Sequence, residues 1–263
     1  MKAFFRFSRC GLPGFFLLVL FSLSLACCRK QGAELSVPSA YRENGLYSYA
    51  LENERAYRAA MALYESLTEG LPKLQEGRGL KDPDFALAIV FPEMLRYSAF
   101  RNGLEYLATC FVYGLSPSFG GCTIGHFQMN APFAETIERY VSLSPRLQSA
   151  YPSIDFAGSN RRVRDRMQRV GRINDRQGEA DYLAAFIAIC TEKFALDDME
   201  AEDRLVLLAT AYNAGMSRTR EELEQVSVLD SYPSGLNSPK SRWNYAAIAL
   251  EFYQGRKKLS GGE

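Results

Sequence analysis

Three groups of residues in this chain have the types and spacing that chemistry needs. Ile89, Val90, Phe91 and Met94 flank one carboxylate, Glu93. Apolar surroundings destabilise the charged form of a carboxyl, so its pKa rises toward neutrality. A glutamate that keeps its proton can pass it to a leaving oxygen, as in glycosidic bond cleavage. Pro92 precedes it and offers no N–H to the carbonyl four residues back, which predicts a kink that turns Glu93 toward a cleft. The second group is the segment Gly120-Gly121-Cys122-Thr123-Ile124-Gly125 followed by His126, Phe127 and Gln128. Its glycines let the backbone turn tightly and approach a ligand, and Gln128 can both donate and accept hydrogen bonds, which suits an acetamido or hydroxyl group. Phe127 suits the core as well as it suits a sugar platform, and His126 reads as a loop-packing residue. The third group is Tyr212-Asn213: the tyrosine could bond the acid or a saccharide, and the asparagine could brace the loop.

Helices must position these groups. Asp82 can cap a helix with Pro83 at its first position, and that helix continues from Ala86 to Tyr97 through Pro92. A second spans Asn102 to Tyr113 and carries Leu104, Leu107, Ala108 and Phe111. Further helices are expected over Phe133–Leu147, Arg161–Gly171, Glu179–Phe194, Glu202–Ala214 and Trp243–Tyr253. Upstream, apolar residues from Ala50 to Tyr64 recur at three- and four-residue steps, predicting helix between Tyr41 and Leu74 that Gly70 and Pro72 stop. Residues 228–242 read as loop. No run alternates convincingly, so the fold class is mainly α.

The N-terminus is set apart. Lys2, Arg6 and Arg9 precede an uncharged apolar run from Phe15 to Ala26, and Cys27, Cys28, Arg29 and Lys30 follow. The run is shorter than the ~20 residues a membrane-spanning helix needs and reads as an export signal. Leu23-Ser24-Leu25-Ala26-Cys27 resembles a bacterial lipoprotein signal, in which Cys27 becomes the acylated first residue; Cys28 is the other choice, and plain cleavage near Ala26 the simpler one. The expected organisation is a signal over 1–26, a tether over 27–40, a helical extension over 41–80 and the main domain over 81–256.

From Cys27 onward the chain holds 28 basic and 30 acidic residues. A balance so near neutral exerts no chain-wide pull on nucleic acid, which excludes that partner class. Arg161, Arg162, Arg164, Arg166, Arg169 and Arg172 form a local cluster that reads as a solvated helix face or an anion-facing patch. Cys110, Cys122 and Cys190 leave one disulfide or free buried thiols open. One histidine cannot build a histidine-rich metal site, so no metal or cofactor is expected.

Ala88-Ile89-Val90-Phe91-Pro92-Glu93 resembles the helix that ends in the catalytic glutamate of lytic transglycosylases and goose-type lysozymes. Gly125-His126-Phe127-Gln128 resembles their Gly-Leu-Met-Gln segment. Ala211-Tyr212-Asn213-Ala214-Gly215 is similar to their Ala-Tyr-Asn-Ala/Gly-Gly signature, and Trp243-Asn244-Tyr245 to a late aromatic segment. The order is the family's, over roughly Asp82 to Tyr253. Two features depart from it: Met94 stands where the family has serine, and an extra helix separates Glu93 from Gln128, which keeps Glu105 as an alternative acid. The resemblance implies a lysozyme-like domain that acts on peptidoglycan glycan strands. Glu93 would be its catalytic residue, Gln128, Tyr212 and Asn213 its substrate-binding residues, and the periplasm or outer membrane its location. A two-carboxylate hydrolase with Glu105, Asp155 or Asp165 as partner, and a non-catalytic wall-binding lipoprotein, are the rivals.

Overall fold

The computed structural model describes residues 49–69, 82–97, 99–116, 121–154, 162–233 and 242–260. The signal and tether segments, Cys27, Cys28, Gly120, Asp155 and Arg161 lie outside them. Among the described residues the fold is mainly α: eleven α-helices, one short 3-10 turn and a two-stranded hairpin.

The helix that carries Glu93 lies at the centre. Helix α3 (Pro83–Met94) follows two N-terminal helices, α1 (Tyr49–Glu52) and α2 (Glu54–Thr68). As expected, Asp82 caps α3, accepting the Phe85 N–H at 3.0 Å, and Pro83 fills the first turn. From Phe85 to Phe91 every residue is buried. Burial on all sides removes any amphipathic stripe, and α3 accordingly packs against α2, α9 (Ala201–Ala214) and α11 (Tyr245–Ser260). Phe91 stacks on Phe252 with centroids 4.1 Å apart. The helix runs unbroken through Pro92 but stops at Met94, three residues earlier than expected, where Arg96 and Tyr97 switch to bonds with residues three back. The N-terminal extension belongs to the same core. Tyr57 meets Phe91, Tyr64 meets Phe252, and the Glu251 carboxylate accepts the Tyr49 and Ala50 N–H groups.

Helix α4 (Ala99–Leu115) corrects an expectation. Leu104, Leu107 and Phe111 face solvent; of the expected apolar residues Ala108 is buried, beside Thr109, Val112 and Tyr113. The α4 helix rests on α7 (Val163–Ile173), whose Arg166 donates to the Tyr113 and Gly114 carbonyls. Strands β1 (Thr123–Ile124) and β2 (Met129–Asn130) pair antiparallel and present Gly125–Gln128 as the hairpin loop. They are too short for alternation to reveal them.

The Phe133–Leu147 helix divides into α5 (Ala131–Leu143) and α6 (Pro145–Ala150), because Ser144 caps a new helix whose first residue is Pro145. Helix α8 (Arg176–Phe194) starts three residues before expectation, capped by Asp175, and α10 (Arg220–Ser227), closed by a Thr219–Glu222 capping box, was not foreseen. Helix α11 begins at Tyr245 rather than Trp243. Trp243 instead pairs with Tyr232 in an isolated antiparallel bridge.

The arginine cluster is no anion patch as a whole. Arg169 grips Glu138 through Nε at 3.0 Å and Nη2 at 2.6 Å, both residues being buried. Tyr182 and Arg172 also bond Glu138, while Tyr113 and Arg169 bond Glu135. This buried network clamps α4, α5, α7 and α8 together; among the described arginines of the cluster, Arg162 and Arg164 stand exposed. Cys110, Cys122 and Cys190 carry free thiols.

Candidate functional site around Glu93

Three segments bring phenols within reach of the Glu93 charge at the end of α3, namely the end of α9, the Tyr232–Trp243 bridge and the start of α11, and the hairpin loop joins them through Tyr212. Glu93 is half-buried there. Its carboxylate acts on the phenols of Tyr212, Tyr232 and Tyr245, which come from those three segments. Each phenol is held protonated well above its ordinary range. Burial is the first cause and the Glu93 charge the second, because a phenolate beside a carboxylate would put two like charges in a poorly hydrated space.

The three hydroxyls donate to backbone carbonyls. Tyr245 bonds Ile89 O at 3.1 Å, Tyr232 bonds Pro92 O, and Tyr212 bonds Phe127 O at 2.7 Å. Pro92 O lies in the last helical turn, where carbonyls lack helical partners, so a phenol supplies its donor. Two tyrosines therefore fasten the helix end that carries Glu93, and the third fastens the hairpin loop to α9. Tyr232 and Tyr245 meet edge to face at 5.0 Å, and the Arg96 guanidinium lies 5.7 Å from the Tyr232 centroid. Tyr212 as a residue is half-buried, with its ring against Phe133 and Phe186. Its hydroxyl end is the enclosed part.

The loop is held from several sides. Gly125 has a φ of 80°, a region open to glycine, and an added Cβ would meet Glu179 Oε1 at 2.1 Å and the Ile173 carbonyl at 2.5 Å. Its N–H donates to Asn102 Oδ1 at 2.6 Å. Gln128 takes the left-handed conformation at φ 51°, and its side chain turns inward, with Nε2 donating to Gly125 O at 2.8 Å and Oε1 accepting from Thr123 at 3.0 Å. So Gln128 braces the loop. Phe127 is buried, which makes it core rather than platform. Asn213 is exposed at the last turn of α9. The structure thus brings Glu93, Tyr212 and the Gln128 loop together and leaves Asn213 at the rim. Glu105 lies on a different helix, α4.

Sequence reasoning missed Glu179 and Tyr232, and met Tyr245 only within the late aromatic segment. Glu179 is buried in the first turn of α8. Its Oε1 accepts the Phe127 N–H at 2.8 Å and its Oε2 lies 2.7 Å from His126 Nδ1. Burial raises its carboxyl pKa, and the His126 and Phe127 bonds partly offset that rise. The His126 ring in turn stacks on Tyr97 at 4.8 Å. The available signal for Glu179 was an acid near the head of a largely apolar helix together with a lone histidine in a glycine turn. Among the described residues no group of three histidine, cysteine or carboxylate side chains could hold a metal ion, and no helix is long and apolar enough to cross a membrane.

No family model, no curated protein and no solved structure matches the chain.

Proposed function

We propose that the protein is a peptidoglycan lytic transglycosylase with a lysozyme-like helical domain, and that Glu93 cleaves the β-1,4 bond between N-acetylmuramic acid and N-acetylglucosamine. One observation carries this reading: a half-buried carboxyl ends a buried helix where its charge bears on three phenols from separate segments, one of which is bonded to the glycine-turn loop. In poorly hydrated surroundings a carboxyl favours its uncharged form, the one that can donate a proton.

Glu93 first protonates the glycosidic oxygen as the bond to C1 breaks. The resulting carboxylate then accepts the proton of the muramyl 6-hydroxyl, whose oxygen closes on C1. The products are an anhydro-muramyl end and a free N-acetylglucosamine hydroxyl, and no water is consumed. A hydrolase working through two carboxylates needs the second within about 5–9.5 Å of the first and open to the sugar or to water. Glu179 reaches the Tyr212 phenol together with Glu93, yet its side chain is fully enclosed and bonded to His126 and Phe127. That favours the single-acid lyase over the hydrolase. Tyr212 and the loop braced by Gln128 shape the sugar site, with Asn213 at its edge. An export signal and acylation at Cys27 would tether the domain at a bacterial envelope membrane beside its glycan substrate.

The test is digestion of purified peptidoglycan with product analysis by mass spectrometry. Anhydro ends are expected, and Glu93→Gln should abolish them while Glu105→Gln keeps them. Reducing ends would instead identify a hydrolase, and intact strands that bind the protein would identify a wall-binding module.

A further inference from the structure

The proton transfer above makes no use of Glu179, yet this buried carboxyl touches every part of the hairpin loop that matters for placement. Burying an ionisable carboxyl is unfavourable unless its oxygens are fully partnered. Here both are. Three of the loop's N–H groups have partners: Gly125 donates to Asn102, Phe127 to Glu179, and Gln128 to Gly125 O. The Phe127 amide and the His126 ring thus meet at one carboxyl, so the loop is held from within by the protein's own acid. The other Glu179 oxygen holds the His126 ring, which lies on Tyr97 just beyond Glu93. On its far side the same loop gives Phe127 O to Tyr212. Gly125 fits only because it has no Cβ to strike Glu179.

We propose that Glu179 is a positioning residue: it fixes the Gly125–Gln128 loop from inside the fold and, through the Phe127 carbonyl, fixes the Tyr212 phenol beside Glu93. Its link to catalysis rests on the reading of Glu93 as the acid. The groups around it are His126 from the loop, Tyr97 after α3, Tyr212 from α9 and Arg176 from its own first turn.

The chain holds a single histidine, so an untagged protein labelled with nitrogen-15 gives one pair of ring-nitrogen signals that needs no assignment. In the wild type these should be the signals of a ring fixed by a partner, with a slowly exchanging ring proton. Glu179→Ala should give the averaged signals of a free imidazole. The turnover number on solubilised glycan strands should fall by roughly 10- to 100-fold, the scale expected for misplaced reacting groups, with KM changing far less. Glu179→Gln keeps an amide oxygen for the Phe127 N–H, so it should fold, shift the ring signals and lose less turnover. It carries the test if the alanine variant does not fold. Unchanged ring signals, or wild-type turnover in a folded variant with altered ring signals, would overturn the proposal. A wild-type protein that releases no anhydro products sinks the Glu93 reading alone, because the ring signals still report whether Glu179 holds the loop.

Discussion

Gly125→Ala tests the loop geometry more sharply than any other single change. Two separate costs meet at this position. A residue with a Cβ at φ 80° pays about 1–2 kcal/mol for the left-handed backbone. The added Cβ would also sit 2.1 Å from Glu179 Oε1 and 2.5 Å from the Ile173 carbonyl, contacts that force the surroundings to move at about 1–3 kcal/mol. Together they predict a loss of roughly 2–5 kcal/mol, read from urea unfolding with the slope unchanged. The Glu179→Ala background separates the two. It removes the side-chain clash but leaves the backbone strain and the Ile173 carbonyl, so the same glycine substitution should cost about 1 kcal/mol less there, a coupling that a double-mutant cycle resolves. Gly103 is the control: it is exposed on α4 with open space around its Cβ position, and alanine there should stabilise by about 0.5–1 kcal/mol. A Gly125→Ala loss below 1 kcal/mol, or an equal loss in both backgrounds, would refute this account of the loop.

Glu138→Ala should cost about 3–5 kcal/mol, because it takes from the buried Arg169 the carboxylate that its Nε and Nη2 both bond, whereas Glu138→Leu with Arg169→Met should cost much less; thermal unfolding of the three proteins decides. Alkaline titration followed by phenolate absorbance should separate the tyrosines. Their native pKa values are raised, Tyr253 to about 12 and Tyr212, Tyr232 and Tyr245 well above 10. Their contribution to stability is therefore complete below the unfolded value near 10 and is lost as pH climbs through the native ones. All tyrosines ionising reversibly near pH 10 would contradict it. Cys122 and Cys190 should resist a thiol reagent at neutral pH until the chain unfolds, and half-buried Cys110 should react first; peptide mass spectrometry reads the order.

The strongest local signals in the sequence corresponded to the clearest elements. Asp82-Pro83 and the continuous apolar run behind it could form little else than a capped, buried helix. Boundaries failed where one residue decides. Ser144-Pro145 reads as helix interior by apolar spacing, yet a cap and a first-turn proline together begin a new helix. Leu104, Leu107 and Phe111 look like a core stripe, but Arg166, reaching the Tyr113 and Gly114 carbonyls, helps turn the opposite face inward. At the site, Glu93, Tyr212 and the glycine loop were legible because short motifs carry them. Tyr232 was not, and Tyr245 showed only as part of an aromatic segment, since a phenol 140 or 156 residues from its carbonyl partner leaves no local trace of that bond. The arginine cluster misled for a related reason: periodicity separates faces, and it is silent about a partner carboxylate such as Glu138.

The two polar clusters of this fold are built on opposite plans. In the Arg169–Glu138 network, opposite charges meet through forked hydrogen bonds, so the polar atoms stabilise one another and leave little for a ligand to use. Around Glu93 the neighbours are phenols whose hydroxyls point to backbone carbonyls of α3 and the hairpin loop. What their hydroxyls fix is the backbone around the carboxylate, the end of α3 and the hairpin loop. Phenylalanine at 245 should then preserve the ring packing and cost only the bond to Ile89 O, about 0.5–1.5 kcal/mol. At 212 the same exchange also releases Phe127 O and with it the hairpin loop. If Glu93 acts as a proton donor held by placement, Tyr212→Phe should lower turnover much more than Tyr245→Phe at similar loss of stability. Equal losses of turnover would mean that the phenols serve the fold alone.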